Sequence, residues 1–143
     1  MTKRQFDSSP VQSRRLLIVD DDELLASFLA EVCELHGFVV ATARSADECL
    51  DKATAAAPDV ILLDVNMIGR SGWEALRQLK SLEDTSRIPV VMMSGYAVDT
   101  SDPVGPHTAA AAFLAKPFPT SLLVETLDRV APSVGPPRVG SVE

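Results

Sequence analysis

At 143 residues the chain is long enough for one domain and leaves little for a second. Its 46% apolar and 23% charged residues are the balance of a folded globular protein, which excludes disorder along the whole chain. The formal charge is −7, and residues 16–132 hold eight basic against eighteen acidic side chains, which argues against this domain gripping a nucleic-acid backbone.

Residues 1–13 are polar with an early Pro10 and read as a flexible tail. Met1-Thr2-Lys3-Arg4 leads into polar residues rather than an apolar signal region, and no apolar run approaches the roughly 18 residues of a membrane span. A cytoplasmic protein is expected. The domain is predicted to run from 14 to 131. Within it, Leu16–Val19, Val39–Ala41, Val60–Leu63, Val90–Met93 and Phe113–Ala115 are apolar throughout rather than alternating, the pattern of buried parallel strands.

Helices are predicted between them. In Asp22–His36, with Asp22 as the cap, the residues Leu24, Leu25, Phe28, Leu29, Val32 and Leu35 make one apolar stripe, and Gly37 supplies the stop. Ser45 and Glu48 have capping-box spacing ahead of Leu50 and Ala53, and Pro58 ends that segment. Trp73, Leu76 and Leu79 mark a third helix after Gly72. Val98–Thr108 contains Pro103, Gly105 and Pro106 where a fourth crossover helix should run, and each interior proline would cost about 3 kcal/mol there. A loop or distorted turn is predicted instead. Leu123, Leu127 and Val130 mark the last helix, and the Pro/Gly-rich residues 132–143 read as a second tail or linker. The alternation predicts a doubly wound α/β sandwich.

Cys33 and Cys49 both fall in helical stretches and make no disulfide framework, which points to a reducing compartment. His36 and His107 lack metal-ligand spacing and read as surface residues. Trp73, Met67, Met92 and Met93 read as core or rim packing.

In an open α/β sheet, ligands sit at the carboxyl ends of the strands. Four predicted strands end on a reactive polar group: Asp20 and Asp21, then Asp64, Ser94 and Lys116. Carboxylates gathered on one rim repel each other and call for a cation, and an all-oxygen site suits Mg²⁺. A central carboxylate, Asp64, is a candidate nucleophile toward phosphorus, with Lys116 and Ser94 placed to hold phosphoryl oxygens. Taken alone, Ser94 fits an ordinary strand-end hydroxyl, and Phe113 fits a core aromatic.

Four segments, Leu17-Ile18-Val19-Asp20-Asp21-Asp22, Leu62-Leu63-Asp64-Val65-Asn66-Met67, Met93-Ser94-Gly95 and Leu114-Ala115-Lys116-Pro117-Phe118, resemble the signatures of the response-regulator receiver domain of two-component signalling. The resemblance spans about residues 15–131. It implies a flavodoxin-like (βα)5 sandwich with five parallel strands in the order 2-1-3-4-5. It also implies phosphoryl transfer to Asp64 from a sensor histidine kinase or histidine phosphotransfer protein. Asp20, Asp21, Asp64 and the backbone carbonyl of Asn66 would hold Mg²⁺, with Mn²⁺ able to substitute. Ser94 and Lys116 would contact the phosphoryl group, the Lys116–Pro117 bond would be cis, and Ser94 and Phe113 would report the switch. The chemistry implied is slow phosphorylation and autodephosphorylation rather than that of a dedicated metabolic enzyme. Binding to a downstream protein would change with phosphorylation, a homodimer is compatible, and neither nucleic acid nor membrane is an expected partner.

The chain departs from the family pattern in places. Ile68 stands where proline commonly follows the methionine, which implies a less rigid loop after Asp64. Gly95 replaces a frequent alanine, and Asn66 and Tyr96 occupy positions that tune acyl-phosphate lifetime. The broken fourth helix favours an alternative, a degenerate receiver serving as a phosphorylation-independent interaction module, whereas the intact acidic cluster, Ser94 and Lys116 oppose it. A phosphohydrolase of the haloacid-dehalogenase type would need an acid two residues after Asp64, where Asn66 stands. A flavin or dinucleotide site is poorer still, because the first loop, Asp20-Asp21-Asp22-Glu23, is acidic rather than glycine-rich.

Overall fold

Apolar strands without alternation must be covered on both faces, and the helices between them provide that cover. The computed structural model describes residues 13–95 and 106–132. In chain order these form β1 (Arg14–Val19), α1 (Glu23–Leu35), β2 (Phe38–Ala43), α2 (Ala46–Ala56), β3 (Val60–Asp64), α3 (Gly72–Ser81) and β4 (Val90–Ser94). A 3-10 turn (Pro106–Ala109), β5 (Ala112–Ala115) and α4 (Thr120–Val130) follow. The strands pair in parallel in the order β2-β1-β3-β4-β5, the flavodoxin-like topology.

Among the described residues, the connection from β4 to β5 holds the 3-10 turn and no α-helix. Pro103 and Gly105 lie outside those residues, as do the expected tails apart from Ser13 and Pro132.

Alternate residues of the central strands separate into two cores. Leu17, Val19, Ile61, Leu63 and Met92 pack with Ala53 of α2 and with Leu76 and Leu79 of α3. Leu16, Ile18, Leu62, Val91 and Met93 pack with Leu29 and Cys33 of α1 and with Leu123 and Leu127 of α4. Each such buried leucine, isoleucine or valine contributes about 1.5–3 kcal/mol relative to exposure. Trp73 and Met67 are half-buried against the first core, and His36 is exposed. The free thiols Cys33 and Cys49 sit in different cores. Burial pushes them up to about 11 and about 12, beyond easy ionisation.

Two expectations need correction. The strands are not all buried: β3 and β4 are covered throughout, whereas β2 and β5 alternate or are half-open because they are the two sheet edges. The α1 stripe is also offset from the core. Leu24 and Leu35 are 85% exposed and Phe28 is half-exposed, while Ala26, Leu29 and Cys33 are buried. At about 100° per residue, Leu24, Phe28 and Leu35 cluster on a flank nearly opposite Ala26 and Cys33, whose small side chains let the helix approach the sheet.

The predicted caps form. The Asp22 carboxylate accepts from Leu25 N–H at 3.2 Å and the Ser45 hydroxyl from Glu48 N–H at 3.1 Å. Glu48 returns its bond to the N–H of Arg44, one residue before the cap.

Candidate functional site

β1 and β3 are neighbours in the sheet, but the chain leaves β1 toward β2 on one side and passes from β3 to β4 on the other. This opens a crevice at their carboxyl ends. The sheet ladder runs on past the strands there. Asp20 N–H donates to Ala43 O at 3.0 Å, Val65 N–H to Met93 O at 2.8 Å and Lys116 N–H to Ser94 O at 2.7 Å. The flanking side chains are therefore held by a rigid backbone.

Asp20 and Asp64 are buried, with 1% and 4% of their surfaces exposed. Lys116 lies between them, its Nζ 2.9 Å from Asp20 Oδ2 and 3.3 Å from Asp64 Oδ1. The other Asp20 oxygen accepts from Asp22 N–H at 2.9 Å, so both of its oxygens are engaged. Burial and the adjacent Asp20 charge push the Asp64 carboxyl above its ordinary range, against the weaker opposing pull of Lys116 and the backbone of Asn66. Burial works against the Lys116 ammonium, but its bond to Asp20 and the fields of both carboxylates hold it above its usual value. The Lys116–Pro117 bond is cis.

Asp21 is half-buried, and its Oδ2 accepts from the backbone N–H of Ile68 at 2.9 Å. Oxygens of Asp20, Asp21 and Asp64 lie within 4.8 Å of one another. Asn66 follows in the exposed part of the β3–α3 loop. Ser94, buried at the end of β4, stands one strand away from Asp64, and its β5 register partner Ala115 precedes Lys116. All the strand-end residues singled out in the sequence thus meet on one rim. Phe113 lies two residues back along β5, half-buried, with its ring 6.1 Å from Trp73 of α3 and inclined at 50°. Tyr96 lies outside the described residues.

The donor set fits a hard divalent cation. It offers three carboxylates with clustered oxygens and no soft ligand, and after Lys116 is counted it keeps a formal excess of two negative charges.

Two contributors escaped the sequence. Gly72 marked only the start of a helix, yet its N–H donates to Val65 O at 2.7 Å, and a Cβ added to it would fall 2.1 Å from Asp64 O. It lets the N-terminus of α3 lie directly on the backbone of the central aspartate. The second is the Ile68 N–H. That residue drew attention as a departure from proline, but its hydrogen bond to Asp21 has no signature in the side chain.

Comparison with known proteins agrees with this geometry. Residues 16–128 match the family described as response regulator receiver domain. The protein PilH of Pseudomonas aeruginosa is 34% identical over 116 residues, covering 81% of this chain and 96% of PilH. The chemotaxis response regulator CheY4 of Vibrio cholerae superposes with a TM-score of 0.76 at 29% identity, covering 83% of this chain and 99% of CheY4. The response regulator TrrA of Thermotoga maritima, solved in complex with Mg²⁺-BeF, superposes with a TM-score of 0.73 at 26% identity, covering 82% and 98%.

Proposed function

The chain belongs to the response regulator receiver domain family, and from that premise we propose that it is a signalling switch thrown by phosphorylation of Asp64. The observation that carries this reading is the buried Asp64 carboxylate, sharing Lys116 with Asp20 and clustered with Asp21. The donor is a phosphohistidine on a sensor histidine kinase or histidine phosphotransfer protein.

One Asp64 oxygen attacks phosphorus as the phosphorus–nitrogen bond breaks. The bonding pair stays with the nitrogen, a proton from water leaves neutral imidazole, and Asp64 becomes an acyl phosphate. Lys116, already between two carboxylates, pairs with a phosphoryl oxygen, and the Ser94 hydroxyl donates to another. Mg²⁺, or Mn²⁺ in its place, held by Asp20, Asp21, Asp64 and the Asn66 carbonyl, supplies the charge neutralisation that lets an anionic group approach an acidic pocket. The clustered carboxylates of this chain and the Mg²⁺-BeF complex of TrrA support that choice of cation.

The surface beside the site suits a protein donor better than a small molecule. A groove of about 460 Å³ between Phe28, Leu29, Pro117 and Phe118 borders Lys116. Its apolar walls match a protein that carries the phosphohistidine. Phosphorylation then shifts the chain between two conformations, with Ser94 and Phe113 moving and the affinity for a downstream protein, or for a second copy, changing with them. The chemistry is slow transfer and hydrolysis in a cytoplasmic regulator, not metabolic turnover. No helix among the described residues is long and apolar enough to cross a membrane.

The test is intact mass after incubation with Mg²⁺ and a small phosphodonor, or with a phosphorylated histidine phosphotransfer protein. One added phosphoryl group is expected in the wild type and none in Asp64→Asn or after chelation. No gain from either donor, together with no Mg²⁺ binding by titration, would turn the reading to a phosphorylation-independent interaction module.

A further inference from the structure

The β3–α3 loop returns over the acidic rim, and at Ile68 it presents a backbone N–H to Asp21. The distance is 2.9 Å to Oδ2, across 47 positions of sequence. The Ile68 side chain takes no part, being 88% exposed. A charge-assisted bond of this kind uses one carboxylate oxygen and orients the other. Its neighbours are held by Lys116 as well as by backbone, Asp20 by Lys116 and Asp22 N–H and Asp64 by Lys116 and the backbone of Asn66.

We infer that Ile68 is a positioning residue for the cation site, acting through its backbone N–H on Asp21. The inference rests on the metal reading above and adds what the side-chain pattern cannot show. Proline has no N–H. A chain with proline at position 68 has no such bond, so the isoleucine gives this protein a link between Asp21 and the loop that leads to α3. Groups that orient a metal ligand typically change affinity 10–100-fold when lost. The link also makes loop order respond to what Asp21 binds, because both ends of the bond belong to the rim.

Two substitutions separate backbone from side chain. Ile68→Pro removes the donor, and Ile68→Ala keeps it while deleting a side chain that is already in solvent. Mg²⁺ affinity, read by calorimetric titration of the unphosphorylated protein, should fall roughly 10-fold in Ile68→Pro and stay within twofold of wild type in Ile68→Ala. Equal affinities in the two variants overturn the inference and leave the metal reading standing. A wild-type chain without Mg²⁺ affinity overturns both.

A second measurement needs neither the proline variant nor metal. In amide-resolved NMR of the chelated protein, the Ile68 N–H should lie downfield and exchange more slowly than those of Met67 and Gly69, and it should move upfield in Asp21→Ala. An Ile68 amide that exchanges with its neighbours and ignores Asp21→Ala overturns the inference even if Ile68→Pro does not fold.

Discussion

The backbone of Gly72 lies so close to the carbonyl of Asp64 that a Cβ on the glycine would come within 2.1 Å of that oxygen and 2.9 Å of its carbon. These are backbone atoms of a strand bonded on both sides, so neither can step aside. The first turn of α3 and the central aspartate therefore share one fixed geometry. The Ser71 cap, whose hydroxyl accepts from Glu74 N–H at 3.3 Å, holds the helix end in place from the other side.

Gly72→Ala should accordingly destabilise the protein by about 1–3 kcal/mol, the range for forcing extra volume into a packed site. Urea unfolding measures it. Because the atoms that the added Cβ would meet belong to Asp64 and Val65, phosphoryl uptake should fall as well. A variant with wild-type stability and uptake would show that α3 can slide without disturbing Asp64.

Asp64→Asn should stabilise the chelated protein at pH 7. The folded-state Asp64 carboxyl is raised, first by burial and then by Asp20, so the native state holds its proton more tightly than the unfolded chain does. Its contribution to stability is present at pH values below the unfolded carboxyl's range and is lost as pH rises through the folded value. At neutral pH the ionised wild type lacks it. Thermal melts with chelator should place the Asp64→Asn midpoint above wild type at pH 7, the gap narrowing as pH falls through the raised folded-state range of the carboxyl. A midpoint below wild type at pH 7 would mean that the Lys116 contact outweighs burial.

Lys116→Met removes the ammonium between two buried carboxylates and leaves Asp20, 1% exposed, with an uncompensated charge. Breaking a fully buried pair costs about 3–5 kcal/mol, and because Lys116 is partly open to solvent the expected loss is about 2 kcal/mol with chelator present. Added Mg²⁺ should recover part of it by restoring positive charge to the cluster. Urea titrations with and without Mg²⁺ decide the matter, and a loss that Mg²⁺ leaves untouched would place the stabilisation outside the carboxylates.

Trp73 is the only tryptophan of the chain, and its ring meets that of Phe113. If Phe113 moves with phosphorylation, Trp73 emission should change when phosphodonor and Mg²⁺ are added to the wild type. In Phe113→Leu the mass gain should persist while the emission response is largely lost. A full response in that variant would dissociate the ring pair from the switch.

Much of this protein was legible along the chain because the signals are local. Unbroken apolar runs specified parallel strands, Ser45 and Asp22 specified helix starts, and the polar residues after four strands specified the rim. The family resemblance placed Asp20, Asp21, Asp64, Ser94 and Lys116 in one site, and the fold brings them together. The apolar stripe of α1 was legible as a stripe but not as a direction. Which flank is buried depends on how closely small residues such as Ala26 and Cys33 let the helix approach the sheet, and Leu24 and Leu35 are left in solvent.

The tertiary structure alone decided how far the edge strands β2 and β5 open to solvent, that Lys116 is shared by Asp20 and Asp64, and how the loop after Asp64 is tied down. Every residue except proline carries the same backbone N–H, so nothing in the letter at position 68 says that its donor will find a carboxylate 47 residues earlier. Nor does a glycine at a helix start announce that a strand carbonyl fills the space of its missing side chain. Side-chain chemistry is written in the sequence, whereas backbone proximity exists only once distant segments have packed.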